Sequence, residues 1–135
     1  MRIDKDLVAA SATPLVLGIL AGGPSYGYAI QKRVAELSGG RLSWADGMLY
    51  PLLHRLEANG FIESAWGASQ SGRRRKIYDI TARGRSQMEA RREQWSVVAE
   101  ALRQVWHTDP PRALPRPRRT LPGRTLPGPA GTVIS

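Results

Sequence analysis

Residues 46–60, DGMLYPLLHRLEANG, and residues 73–81, RRRKIYDIT, decide the fold. In the first stretch Leu49, Leu52, Leu53 and Leu56 recur at three and four, the spacing that lines one side of a helix. Ser43 or Asp46 is the expected cap, by the loose Ser-x-x-acid pattern. Met48, Tyr50, His54 and Arg55 fall outside the leucine face or at its edge. Pro51 argues the other way, because an interior proline costs about 3 kcal/mol through a lost hydrogen bond and a clash. The helix is kept, with a kink or an N-terminal-turn placement for Pro51. Asn59-Gly60 ends it through a residue suited to positive φ.

Beyond that stop, a strand is expected over 61–65, a turn-rich tip over 66–72 and a returning antiparallel strand over 73–81. This hairpin carries Arg73, Arg74, Arg75 and Lys76 in succession, with no acidic neighbour among them. Upstream, 13–21 reads as a short helix with Leu15, Val16, Ile19 and Leu20 on one face and Pro14 near its start. Gly22, Gly23 and Pro24 close it. A second helix is expected from Ser25 to Leu37, with Tyr26, Ala29, Ile30, Val34 and Leu37 inward and Lys32, Arg33 and Glu36 outward.

Downstream, a helix from Ala82 to about His107 would run roughly 35–40 Å. Met88, Trp95 and Leu102 recur at seven, as do Val98 and Val105, although Arg91 interrupts a regular heptad. Together with Trp106 these residues are more apolar surface than a three-helix core can cover, so a second subunit is the expected partner. The fold class is therefore mainly α with a small β-hairpin: a winged helix-turn-helix over 1–81 and a dimerisation helix over 82–107.

The remaining 28 residues, 108–135, contain seven of the ten prolines, five Arg and one Asp, and repeat Arg-Thr-Leu-Pro-Gly at 119–123 and 124–128. Such a segment is expected to be a disordered tail, since little in it repays the roughly 1–2 kcal/mol per residue of ordering entropy. It holds +4 of the formal net charge of +9, leaving +5 on the body.

An excess of positive charge on a hairpin beside an exposed helix face points to nucleic acid. Arg73, Arg74, Arg75 and Lys76 are assigned to phosphates and the minor groove, Met48, Tyr50, His54 and Arg55 to base edges, and Lys32 and Arg33 to backbone. The bland alternative is a solvated, arginine-rich turn. Catalysis and metal binding have thin support: there is no Cys, the two His, His54 and His107, are far apart, and no acidic pair is placed for proton transfer. No cofactor is implied. The longest mainly apolar run, 8–21, is too short and proline-broken for a membrane span, so a cytoplasmic protein is expected.

The chain resembles the PadR-like transcriptional regulators. The resemblance rests on Leu17-Gly18-Ile19-Leu20, on Gly23-Pro24-Ser25-Tyr26-Gly27-Tyr28-Ala29-Ile30, on the stretch from Gly47 to Gly60, and on Gly72 to Gly84. It covers about residues 12–106 and is nearest the short subgroup with one C-terminal helix. It implies a dimer of two winged domains, usually repressing transcription, whose C-terminal helices exchange contacts, with the residues matching Tyr50, Arg74, Arg75 and Lys76 close to DNA. The basic hairpin after the leucine-spaced helix and the apolar last helix lead to the expectation of a homodimeric repressor at a pseudo-palindromic operator. The resemblance also implies that a proline at position 51 belongs inside the recognition helix. Tyr26 stands where a His is common, and Met48 where a Ser or Thr is usual.

Some members of that family sense small aromatic or cationic compounds. Trp95, Val98 and Leu102 are the residues here that would line such a space, or else form plain dimer core with Met88, Val105 and Trp106. The rival function is a winged-helix dimer that binds proteins or sequesters ligands without reading an operator.

Overall fold

The computed structural model describes residues 2–68 and 72–107. The described residues form, in chain order, helices α1 (Lys5–Ala21), α2 (Gly27–Leu37) and α3 (Asp46–Ala58), a hairpin of β1 (Ile62–Ala68) and β2 (Arg74–Ile80), and helix α4 (Ala82–Trp106). Contacts divide the chain after Ser96. The first unit carries α1, α2, α3, the hairpin and the start of α4; the second carries the end of α4. The expected disordered tail over 108–135 lies outside the described residues, as does the wing tip at 69–71.

The leucine face of α3 is the centre of the core. Leu49, Leu52, Leu53 and Leu56 are buried and meet Val16, Leu17 and Leu20 of α1, Ile30 and Val34 of α2, and Ile62, Tyr78 and Ile80 of the hairpin. Transferring side chains of this size out of water contributes about 1.5–3 kcal/mol each.

Helix α1 begins at Lys5 rather than Thr13, so Pro14 lies within it and not near its start. Pro14 leaves the Ala10 carbonyl without its helical donor, and Pro51 does the same to Gly47 in α3. Ala10 and Gly47 are both exposed, so water can take the freed carbonyls, which lowers the cost of each proline. Pro51 sits in the second turn of α3.

Neither Ser43 nor Asp46 caps α3: the cap residue is Ala45, with no side-chain cap bond, and Asp46 is the first helical residue. The turn before α3 is held from α2 instead. Gln31 Nε2 donates to the Trp44 carbonyl at 3.0 Å and to Asp46 Oδ1 at 2.8 Å. In α2 itself Ile30 and Val34 are buried as expected, but Leu37 is exposed and Tyr26 is the cap residue, half-buried.

At the end of α3, Gly60 has φ 79° and the Phe61 amide donates to the Leu56 carbonyl at 3.0 Å. This left-handed cap turns the chain directly into β1, as Asn59-Gly60 predicts. The hairpin is longer than expected: Trp66, Gly67 and Ala68 pair with Lys76, Arg75 and Arg74 and belong to β1, not to the tip. Ser25 joins the outer edge of β2 through a two-bond bridge, Ser25 N to the Tyr78 carbonyl at 3.0 Å and Tyr78 N to the Ser25 carbonyl at 2.7 Å.

Helix α4 starts from a side-chain cap absent from the sequence reading. The Thr81 hydroxyl donates to the Gly60 carbonyl at 2.6 Å and accepts from the Gly84 amide at 3.0 Å. Gly84 is the buried residue of α4, and a Cβ there would overlap the Phe61 carbonyl and come within 2.8 Å of Ile80 Cγ1. Because the obstruction includes backbone, Gly84→Ala is expected to destabilise the fold by about 2 kcal/mol through overpacking. Urea unfolding checks this, and an unchanged midpoint would refute the tight packing of α4 on the cap of α3.

Candidate nucleic-acid interface

The burial of α3's leucines leaves Gly47, Pro51, His54, Arg55 and Ala58 exposed along the opposite side. Those positions recur at three and four, so α3 presents a continuous solvent face with His54 and Arg55 at its middle. Two of the expected base readers lie elsewhere: Met48 packs against the core, and Tyr50 is half-buried with its hydroxyl over Gly27. A methyl at Gly27 would overlap that hydroxyl, so the first turn of α2 and the Tyr50 ring hold one another in place. Lys32 and Arg33 are exposed on α2, and Arg33 meets Glu36 at 3.6 Å in a surface pair worth little stability.

The hairpin is fastened to α3 at its base. The Ser64 hydroxyl donates to Glu57 Oε2 at 2.7 Å, and the buried ring of Tyr78 lies across from Ser64 in the ladder. Burial raises the Tyr78 phenol above its ordinary range, and the Glu57 carboxylate and Tyr50 add to the shift, so Tyr78 stays neutral in this wall.

Beyond this anchor the cations emerge with aromatic neighbours. Arg74 lies 5.1 Å from the Trp66 ring centroid, Arg75 3.8 Å from that of Tyr26, and Lys76 5.9 Å from that of Tyr78. Arg73 and Arg74 are exposed, whereas Arg75 and Lys76 are half-buried. Part of the cationic run is thus laid along its own chain.

Two aromatic residues escaped the sequence reading. Trp66, expected in the tip, stands on β1 at 61 % exposure, and Tyr28 at the start of α2 is 66 % exposed. The alternation Ile62, Ser64, Trp66 would have placed Trp66 on the strand had the glycine and serine residues after it not read as turn.

The sequence profile of the transcriptional regulator PadR-like family matches residues 16–90, from the middle of α1 through the hairpin into α4. The chain belongs to the PadR-like family. A PadR-like transcriptional regulator from Bacillus cereus superposes with a TM-score of 0.69 at 25 % identity, over 78 % of this chain and all of that one. A PadR family regulator from Eggerthella lenta gives 0.65 at 31 % identity, over 77 % and 88 % of the two chains. A transcriptional regulator from Clostridium thermocellum gives 0.67 at 28 % identity, over 74 % and 97 %. This PadR-like chain is accordingly a transcriptional regulator with a winged helix-turn-helix, and its family implies DNA binding.

The same PadR-like body carries an open groove of about 840 Å³ away from the hairpin. Leu7 and Leu15 of α1, Leu42, and Met88, Arg92 and Trp95 of α4 line it. Met88 also packs against the core. Val98, Leu102, Val105 and Trp106, the other residues expected at a dimer interface, are all exposed. No helix among the described residues is long and apolar enough to cross a membrane.

Proposed function

We propose that the protein is a homodimeric repressor that binds a pseudo-palindromic operator, each half read by the exposed face of one α3 and one cationic wing. The observation that carries this reading is the fastening of the arginine-rich hairpin to the leucine-packed helix through Ser64 and Glu57. A groove-reading helix and a phosphate-binding wing must hold a fixed spacing to act on one duplex, and that hydrogen bond with the shared core supplies it. In this reading residues 1–81 bind DNA and 82–107 join the subunits.

His54 and Arg55 reach base edges from the middle of α3, with Tyr50 at the flank, while Lys32, Arg33 and the cationic wing engage the backbone. The groove lined by Trp95 and Met88 takes a small aromatic or cationic effector whose binding releases the operator. A flat indole and a thioether suit a planar ligand.

Fluorescence anisotropy against the DNA flanking the protein's own gene tests the operator reading. Saturable binding that survives an excess of unrelated duplex is expected, and equal affinity for both would refute it. Footprinting should then show two protected half-sites about one helical turn apart.

A further inference from the structure

The two faces of the wing differ in charge and in what they touch. In a strand, alternate residues point to opposite sides, and directly paired residues share a side. The ladder therefore puts Ser64 with Tyr78, Trp66 with Lys76 and Ala68 with Arg74 on one face. The other face carries Glu63 with Asp79, Ala65 with Ile77 and Gly67 with Arg75. Both acidic residues of the hairpin lie on the second face. Among the described residues of the two strands, the first has cations only.

The first face also continues the side that meets α3, since Ser64 binds Glu57 and the Ile62, Tyr78 and Ile80 side chains enter the core. Past the Ser64–Tyr78 pair the strands leave the core, and the same face comes into solvent at Trp66, Ala68 and Arg74, with Lys76 half-buried beside the Tyr78 ring. The second face turns toward the start of α2. The bridge between Ser25 and Tyr78 places Tyr26 next in register to Ile77, diagonal to Arg75, and the Arg75 guanidinium stacks 3.8 Å from the Tyr26 ring centroid. At that distance the contact is a close cation–π stack, whereas the Arg74 contact with Trp66 at 5.1 Å leaves Arg74 exposed.

We propose that the wing is two-sided. The face of Trp66, Arg74 and Lys76 is the surface that meets the duplex backbone, with Trp66 as a contact residue of its own. Arg75 is a positioning residue that ties the wing to α2 through Tyr26. The proposal rests on the DNA-binding reading above and divides the cationic run that the reading treats as one. Charge complementarity selects the partner: an indole flanked by two cations, with no acidic strand residue on its face and Glu57 held by Ser64 at the α3 end, matches deoxyribose between phosphates and would be poorly matched to an acidic-and-basic protein surface.

The test is DNA anisotropy on the full-length protein across a salt series, with thermal unfolding of each variant. Arg74→Ala should lower the salt slope by about 2 per dimer, from about 0.9 per lost phosphate contact, and weaken binding roughly 30-fold near 0.15 M salt. Trp66→Ala should weaken binding about tenfold with little change in slope, because the lost contact is uncharged, and Trp66→Phe should restore most of it. Arg75→Gln should leave the salt slope within about half a unit of the parent and lower Tm by roughly 2–6 °C. The same Tm loss is expected of Tyr26→Leu, with no further loss when it is combined with Arg75→Gln.

Equal slope losses for Arg74→Ala and Arg75→Gln would overturn the proposal, as would undiminished affinity in Trp66→Ala. Absence of salt-dependent binding by the parent protein is a different result, and it overturns the DNA-binding reading itself.

Discussion

Replacing Arg74, Arg75 and Lys76 together by Ala is expected to weaken operator binding about a thousandfold near 0.15 M salt, while the dimer persists. The magnitude follows from counterion release. Each phosphate neutralised contributes about 0.9 to the salt slope, or roughly 0.7 in log affinity at that salt concentration. If Arg74 and Lys76 each meet one phosphate, a dimer loses four contacts, which gives close to three decades and a slope lower by 3–4. Arg75 adds to the loss through the wing's attachment to Tyr26 rather than through charge on the duplex. Anisotropy titrations at four salt concentrations measure affinity and slope together, and sedimentation reports the dimer. Unchanged affinity would remove the wing from DNA and favour a protein-binding or ligand-sequestering role for the fold.

The position of the hairpin was legible in the sequence, but its extent was not. Leu49, Leu52, Leu53 and Leu56 announce α3 because a helix must bury one face, and they are buried. Asn59-Gly60 announces its end because positive φ at Gly60 needs no Cβ. Trp66, Gly67 and Ala68 hid inside β1 because their ladder partners, Lys76, Arg75 and Arg74, lie across the turn, where local composition reads as loop. Pro14 hid the first two turns of α1 in the same way: a proline signals a helix start unless its orphaned carbonyl can reach water.

The rest depends on residues distant along the chain. Nothing near Thr81 shows that its hydroxyl will bridge Gly60 and Gly84, and nothing near Tyr26 shows that Arg75 will lie on its ring. Among the expected DNA-contacting residues, the surface positions His54, Arg55, Lys32 and Arg33 followed from being off the apolar face. Tyr50 and Met48 differ because α2 and the core come up against the flank of α3, which a single helical wheel cannot show.

The second large effect is expected at α4. Trp95 lines the apolar groove beside Met88, and Leu102 recurs seven residues later at 38 % exposure, a large apolar side chain left partly in water. Val98, Val105 and Trp106 are exposed more fully, at 49 %, 73 % and 69 %. Apolar surface on this scale on a helix rich in Glu–Arg pairs, such as Glu100 with Arg103, fits a second subunit, since the pairs keep the remaining surface soluble. Trp95→Lys with Leu102→Lys places two unpaired charges per subunit in that interface, and removing an apolar contact while burying an uncompensated charge costs several kcal/mol. The double variant is therefore expected to sediment as a monomer at concentrations where the parent is a dimer, with helical circular dichroism retained because the α3-centred core is untouched. Operator affinity should fall by at least about a hundredfold, toward that of a single half-site, because the second wing and helix no longer arrive at high effective concentration. Binding to an isolated half-site should change little, which separates loss of the dimer from damage to the reading surface. A dimer of unaltered affinity would mean that this face of α4 does not join the subunits, and the two operator halves would then have to be bridged by some other surface.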